Sequence, residues 1–184
     1  MSSVYTLRKV QEDDHAWLVD LHNDPEVLRN LTNPRTITLE DHMRWWRNIE
    51  KDPAQLREIF EVDGERVGFT KFYNIDFANL NCSLGADIER THRRKGYAKE
   101  MWRLMLRKCF DEMRLHRVSL TTASYNVIAQ KTYVGLGFAE EGRMIDSLYR
   151  DGRFYDQICM YLLSTDRREN ESTHHNKPTD TSVL

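Results

Sequence analysis

Arg93, Arg94, Lys95 and Gly96 lie together in one short turn, and their chemistry suits a phosphate. The stretch 82–98, C-S-L-G-A-D-I-E-R-T-H-R-R-K-G-Y-A, passes from an apolar run through this basic turn into a helical pattern that opens at Tyr97 and Ala98. A helix start offers four backbone N–H groups without intrahelical partners and a partial positive charge of about half an electron. Gly96 allows the backbone to approach an anion closely, while the three cations supply charge around it.

The elements that must position this turn are legible on both sides. Ser83 to Ile88 reads as a strand, and Ala98 to Met113 reads as an amphipathic helix with Met101, Leu104, Met105, Cys109 and Phe110 on one face. No G-x-x-x-x-G-K-[ST] loop is present, and the turn holds only one of the glycines of G-x-G-x-x-G, so neither a P-loop nor a dinucleotide site is expected.

Arg93, Gly96 and Ala98 fit R-x-x-G-x-A, which resembles the acetyl-CoA motif of the GNAT acyltransferase superfamily, [Q/R]-x-x-G-x-[G/A]. Downstream, N-V-I-A-Q-K-T-Y-V-G-L-G-F at 126–138 is similar to that family's N-x-x-A-x-x-x-Y-x-x-x-G-F helix, with Asn126, Ala129, Tyr133, Gly137 and Phe138 in register. The resemblance covers residues 4–163. It implies an α+β (mixed α/β) fold, a central mixed sheet with splayed fourth and fifth strands flanked by about four helices, and acetyl-CoA as cosubstrate. The pantetheine arm would lie in the splay against the backbone of Ala86, Asp87 and Ile88. The pyrophosphate would sit on Arg93, Arg94, Lys95, Gly96, Tyr97 and Ala98, with Asn126 and Tyr133 also at the cofactor and Tyr133 as the catalytic acid.

Composition bounds the class of partner. The 184 residues carry a formal net charge of −2, which gives no electrostatic basis for bulk nucleic-acid binding. Cys82, Cys109 and Cys159 are widely spaced within apolar patterns and are expected as buried free thiols. No signal peptide or run of 18 apolar residues is visible, so no membrane partner is expected and a cytoplasmic location is inferred.

Along the chain, Val4 to Val10 reads as a strand and Gln11 to His22 as a helix, with turns through N-D-P and N-P before a second helix near Thr38. Glu58 to Val62 and Arg66 to Tyr73 flank Asp63-Gly64 as a hairpin. Strands at 80–89 and 117–123, a helix after Asn126, and strands at 138–148 and 154–163 complete the order β-α-α-β-β-β-α-β-α-β-β. One domain over 1–163 is expected, with a polar, disordered tail over 164–184. His174 and His175 in that tail have no neighbouring ligands, and no metal site is expected.

A lysine-like amine of pKa about 10.4 is neutral only about once in 2,500 at pH 7, so an acceptor of that kind needs a base. Many members of the resembled family carry a strand glutamate for this; here N-L-N-C-S-L-G has no carboxylate before Asp87. The base is left unassigned: Asp87, Glu89, His22 and His42 are the nearby candidates, and a water chain is the alternative. The acceptor region should draw on residues 22–46 and the last hairpin, with Trp45, Trp46, Tyr149, Phe154 and Tyr155, and with Arg29, Arg35, Arg44 and Arg47 set against Asp24, Glu26, Glu40 and Asp41. The early pattern resembles acetyltransferases of nucleotide-linked amino sugars, which is the favoured acceptor. The late hairpin resembles polyamine and ribosomal-protein N-terminal acetyltransferases. A CoA-binding sensor without transfer is the non-enzymatic alternative, and an exposed sheet edge would allow a homodimer.

Overall fold

Asp63 and Gly64 both take positive φ, 53° and 83°, as a two-residue hairpin loop requires, and join β2 (Leu56–Val62) to β3 (Glu65–Asp76). The computed structural model describes residues 3–167, and its sheet has the strand order β1-β2-β3-β4-β5-β7-β6. The remaining strands are β1 (Tyr5–Lys9), β4 (Asn81–Ile88), β5 (Arg117–Ala123), β6 (Ala139–Arg150) and β7 (Arg153–Leu163). Helices α1 (Asp14–Asn23), α2 (Pro25–Asn30) and α3 (Leu39–Ile49) follow β1; α4 (Tyr97–Arg107) and α5 (Val127–Gly135) flank β5. The mixed α/β architecture with a splayed centre is as expected.

All strand pairs are antiparallel except β4 with β5, which is parallel and short: only Asn81–Ser83 pair with Arg117–Ser119. Beyond Ser83, β4 stays with β3 and β5 stays with β7, so the two strands part. On one face of the sheet, Phe60, Phe72, Leu84, Met101, Trp102, Met105 and Val118 form the main core beneath α4. On the other, Ile59 and Phe69 meet Leu18, Leu21 and Val27 of α1 and α2.

Three features differ from the sequence expectation. The N-D-P tract starts α2 rather than a turn, because Asp24 caps it, accepting from the N–H groups of Glu26 and Val27, and Pro25 supplies a φ suited to the first helical position. The helix expected to run to Met113 leaves α geometry at Lys108 and finishes as a π turn over Lys108–Glu112. Ser164–Arg167 continue as a helical turn, with the Ser164 N–H on the His116 carbonyl at 2.9 Å and Arg167 on Asp111 at 3.1 Å. The rest of the expected tail, including His174 and His175, lies outside the described residues. Cys82 and Cys109 are buried free thiols 3.7 Å apart, whereas Cys159 on β7 is only half-buried. Among the described residues no helix is long and apolar enough to cross a membrane.

The start of α1 is locked electrostatically. Asp14 is fully buried and accepts from Arg8 at 2.6 and 3.0 Å, from Arg66 at 3.2 Å and from the Gln11 N–H at 2.7 Å. Burial alone would raise its carboxyl, but the hydrogen bonds from Arg8, Gln11 and Arg66 outweigh that and hold it below the ordinary range. Asp14→Ala leaves Arg8 partly uncompensated and should cost about 3–5 kcal/mol in urea unfolding at pH 7. A folded-state pKa below the unfolded value near 3.9 stabilises fully above that value, and the contribution is lost as pH falls through the folded one. The difference between wild type and variant should therefore shrink towards about pH 2.

Candidate active site

The parting of β4 from β5 leaves the β4 edge beyond Ser83 without a strand partner on that side. A cavity of about 200 Å³ fills the gap, lined by Ala86, Asp87 and Ile88 of β4, by Ala98, Met101 and Trp102 of α4, and by Asn126, Ile128, Ala129 and Tyr133. Glu26, Val27 and Asn30 of α2 border it too. An unpaired strand edge needs donors and acceptors, and an extended ligand with amide groups can supply them. Gly68 helps set this edge, because a Cβ there would stand 2.7 Å from the Asp87 carbonyl oxygen.

The basic turn opens onto a neighbouring cavity of about 520 Å³. Arg94 and Gly96 take positive φ, 63° and 82°, and the backbone N–H groups of Arg94, Lys95, Gly96, Tyr97 and Ala98 donate to no other described residue. Such a run of free N–H groups at a helix start is an anion cradle. Its cationic side chains overlap the expected set in Arg93 and Arg94. The Arg93 guanidinium lines both cavities and is held by Asp24 at 2.9 Å, Glu26 at 2.8 Å and the Ile88 carbonyl at 3.0 Å, so it also braces α2 against β4. Lys95 lines neither cavity and offers only its N–H. Arg94 does line the cradle, joined by Lys99 and Lys131. Both lysines were missed in the sequence. Ile128, Lys131, Thr132 and Gly135 share one helical face at i, i+3, i+4 and i+7 spacing, which was the available signal.

Asn126 caps α5 by accepting from the Ala129 N–H at 3.2 Å and donates to Asn30 of α2 at 3.2 Å. It borders the gap, but its polar atoms are spent on the helix start and on α2. One helical face carries Tyr133 into the gap, where its ring packs edge-on against Trp102 at 4.9 Å and Phe138 at 6.0 Å. Burial, with smaller effects from Asp87 and Tyr73, pushes its phenol well above the ordinary range. A phenol so shifted is a poor donor of a whole proton to a thiolate whose thiol titrates near 8.5, and a good donor of a hydrogen bond.

On the other face of the sheet, a cavity of about 360 Å³ lies under α1 and α3, lined by Leu21, His22, Leu31, Arg35, Ile37, Asp41, His42, Trp45, Arg57, Phe69, Lys71 and Asp87. Asp87 borders both this cavity and the gap, and forms an ion pair with Lys71. The other candidate bases fare differently. Burial, helped by His15 and His22, lowers His42 to about 4, and its Nε2 lies 3.0 Å from His15 Nδ1. Glu89 is held by Thr91 at 2.7 Å and lines neither cavity. His22 lines the pocket with Nε2 donating to the Arg35 carbonyl at 3.0 Å.

Tertiary pairing also sorts the charges that sequence left mixed. Arg29 joins Asp151 and Arg44 joins Glu40, while Asp24 and Glu26 hold Arg93. Of those named on sequence, Arg35, Asp41 and Trp45 reach the pocket. Trp46 packs on His15 and His42, and Tyr149 packs on Phe154 at the hairpin tip, away from the pocket. Neighbouring Arg150 reaches back to the carbonyls of Arg29, Leu31 and Thr32.

Comparison with known proteins agrees with this geometry. An acetyltransferase (GNAT) domain model matches residues 5–139. An uncharacterised N-acetyltransferase of SPbeta prophage origin in Bacillus subtilis is 30% identical over 92% of this chain and 93% of its own length. The spermidine N(1)-acetyltransferase of Vibrio cholerae is 24% identical over 90% of this chain and 96% of its own. A crystal structure of spermidine N-acetyltransferase from Vibrio cholerae with CoA and spermine superposes with a TM-score of 0.84 at 23% identity, covering 89% of this chain and 98% of that one. With the splayed sheet, the anion cradle and the family match in agreement, the chain belongs to the GNAT acetyltransferases, enzymes that use acetyl-CoA as acetyl donor.

Proposed function

We propose that this enzyme passes acetyl directly from acetyl-CoA in the β4–β5 gap to a primary amine in the pocket beneath α1 and α3. The observation that carries the reading is the position of Asp87, which borders both cavities. Acetyl-CoA supplies a thioester whose C–S bond is exchanged for a C–N bond, releasing CoA thiol. The cradle at 94–98, with Arg94, Lys99 and Lys131, holds the pyrophosphate, and the open edge of Ala86–Ile88 holds the pantetheine amides. Asp87 accepts a hydrogen bond from the incoming amine and takes its proton directly or through water. Tyr133 donates its O–H to the departing sulfur, stabilising negative charge where it develops.

The relatives do not support the nucleotide-linked amino sugar favoured on sequence. A polyamine is the second reading, favoured by the likeness to a spermidine N(1)-acetyltransferase over nearly the whole chain. Against it, the pocket offers a polyamine's further cationic groups little: of its two carboxylates among the described residues, Asp41 is engaged in the α3 capping box with Thr38, and Asp87, already beside Lys71, is the one that meets the reacting amine. The open edge of β6, with exposed Met144, Ile145 and Tyr149, supports a homodimer.

Tyr133→Phe should lower turnover by about 10²-fold while leaving acetyl-CoA affinity in calorimetry unchanged. Normal turnover would remove Tyr133 from the chemistry. Arg94→Ala with Lys131→Ala should weaken acetyl-CoA binding by about tenfold, with a steeper loss at low salt. Arg93→Ala should instead lower the melting temperature by freeing α2. Unchanged affinity in the double variant would displace the pyrophosphate from the cradle.

A further inference from the structure

Among the described residues Arg57 forms no ion pair with a carboxylate. It lies on β2 with its guanidinium largely buried between the sheet and α3, where Nη1 donates to the carbonyls of Leu56 at 3.0 Å and Phe72 at 2.6 Å, and Nη2 to Gln55 Oε1 at 2.6 Å. All three acceptors are neutral. Nε is fully buried with no partner, and one Nη2 proton also lacks an acceptor among the described residues. By contrast, Arg8, Arg66 and Arg93 each reach a carboxylate. The residue directly opposite Arg57 on β3 is a second cation, Lys71, whose ammonium is already joined to Asp87.

Such an arrangement is costly in the empty site. A buried charge is tolerated when paired, and like charges facing each other across strands are destabilising. Burial lowers the Arg57 guanidinium to about 10, opposed by Tyr73 and Asp52. Arg57 borders the acceptor pocket, with the Trp45 ring centred 5.9 Å from its guanidinium carbon and Arg35 lining the same space. A cavity that gathers Arg57, Arg35 and Lys71 around two engaged carboxylates favours a negative guest.

We propose that Arg57 is a specificity-determining residue that binds an anionic group, carboxylate or phosphate, carried by the acceptor amine itself. This rests on the acetyl-transfer reading of the site and narrows its acceptor to a zwitterionic amine. The register gives the scale. Arg57 pairs with Lys71, Lys71 pairs with Gly85, and Asp87 lies two residues further along β4. Two strand spacings and two residues place the Arg57 and Asp87 Cα atoms about 12 Å apart, and side chains reaching inward shorten the span. An amine at Asp87 and an anion at Arg57 then lie a few bonds apart on one small molecule, such as an amino acid or an amino-sugar phosphate.

The test is acetyl-CoA-dependent thiol release by the full chain with matched acceptors: β-alanine against β-alaninamide, glucosamine 6-phosphate against glucosamine, and spermidine. Beside it, CoA-saturated protein, with the cradle filled, is titrated calorimetrically with inorganic phosphate. At least one anionic acceptor should show a KM lower than its neutral counterpart by about tenfold or more, and the better pair tells carboxylate from phosphate. Arg57→Gln should bring that ratio close to one and abolish phosphate binding, with Arg57→Lys intermediate because it keeps the charge and loses the planar fork. Equal KM values within both pairs, or a clear preference for spermidine, would overturn the proposal in wild-type protein even where the variants fail to fold. If no acceptor is turned over, phosphate binding lost in Arg57→Gln upholds the anion site while the transfer reading falls; no phosphate binding to wild type overturns the anion site.

Discussion

The pairing of β4 with β5 over only three residues is the constraint on which the site depends. Both strands are held on their outer sides, β4 by β3 and β5 by β7, so neither can collapse onto the other beyond Ser83. The cost is an open backbone edge in the middle of a sheet, which is unusual because unpaired N–H and C=O groups demand partners. Trp102, Met101 and Tyr133 line the gap from the helical side and give it apolar walls. The anion cradle at the head of α4 lies at its end because α4 directly follows β4 through the turn at 90–96.

A second principle is the allocation of charge. Several cations are tied off: Arg93 to α2, Lys71 to Asp87, and Arg8 and Arg66, further from the site, to Asp14. These pairs fix the helical layer on the sheet and hold the acceptor pocket open beneath it. Cations that form no ion pair among the described residues, Arg94, Lys99 and Lys131 around the cradle and Arg57 in the pocket, line the cavities instead. Bracing arginines and cavity-lining ones are thus distinguished by their partners, since residue type is the same in both.

Tyr133 illustrates how environment edits a role. A solvated tyrosine could share a proton with a thiolate at modest cost, whereas this one, packed among Trp102 and Phe138, resists ionisation more strongly. Such a phenol suits a directed hydrogen bond better than proton transfer, and Asp87, which lines both the gap and the neighbouring pocket, is the carboxylate the two cavities share.

Local pattern alone determined much of this protein. The Asp63-Gly64 hairpin, the strand–turn–helix order around Gly96 and the Asn126 to Tyr133 helix are set by backbone preference and spacing within a few residues, and all were legible. The α2 helix was misread because Asp-Pro serves a turn and a helix cap equally well, and packing against the gap decides between them. Which charges would be free was beyond the sequence altogether. Arg93 meets Asp24 and Glu26 from 69 and 67 residues away, and Arg57 meets no carboxylate at all among the described residues. Electrostatic pairing is a property of distance in space, so only the tertiary structure could separate paired from unpaired side chains that look alike in the chain.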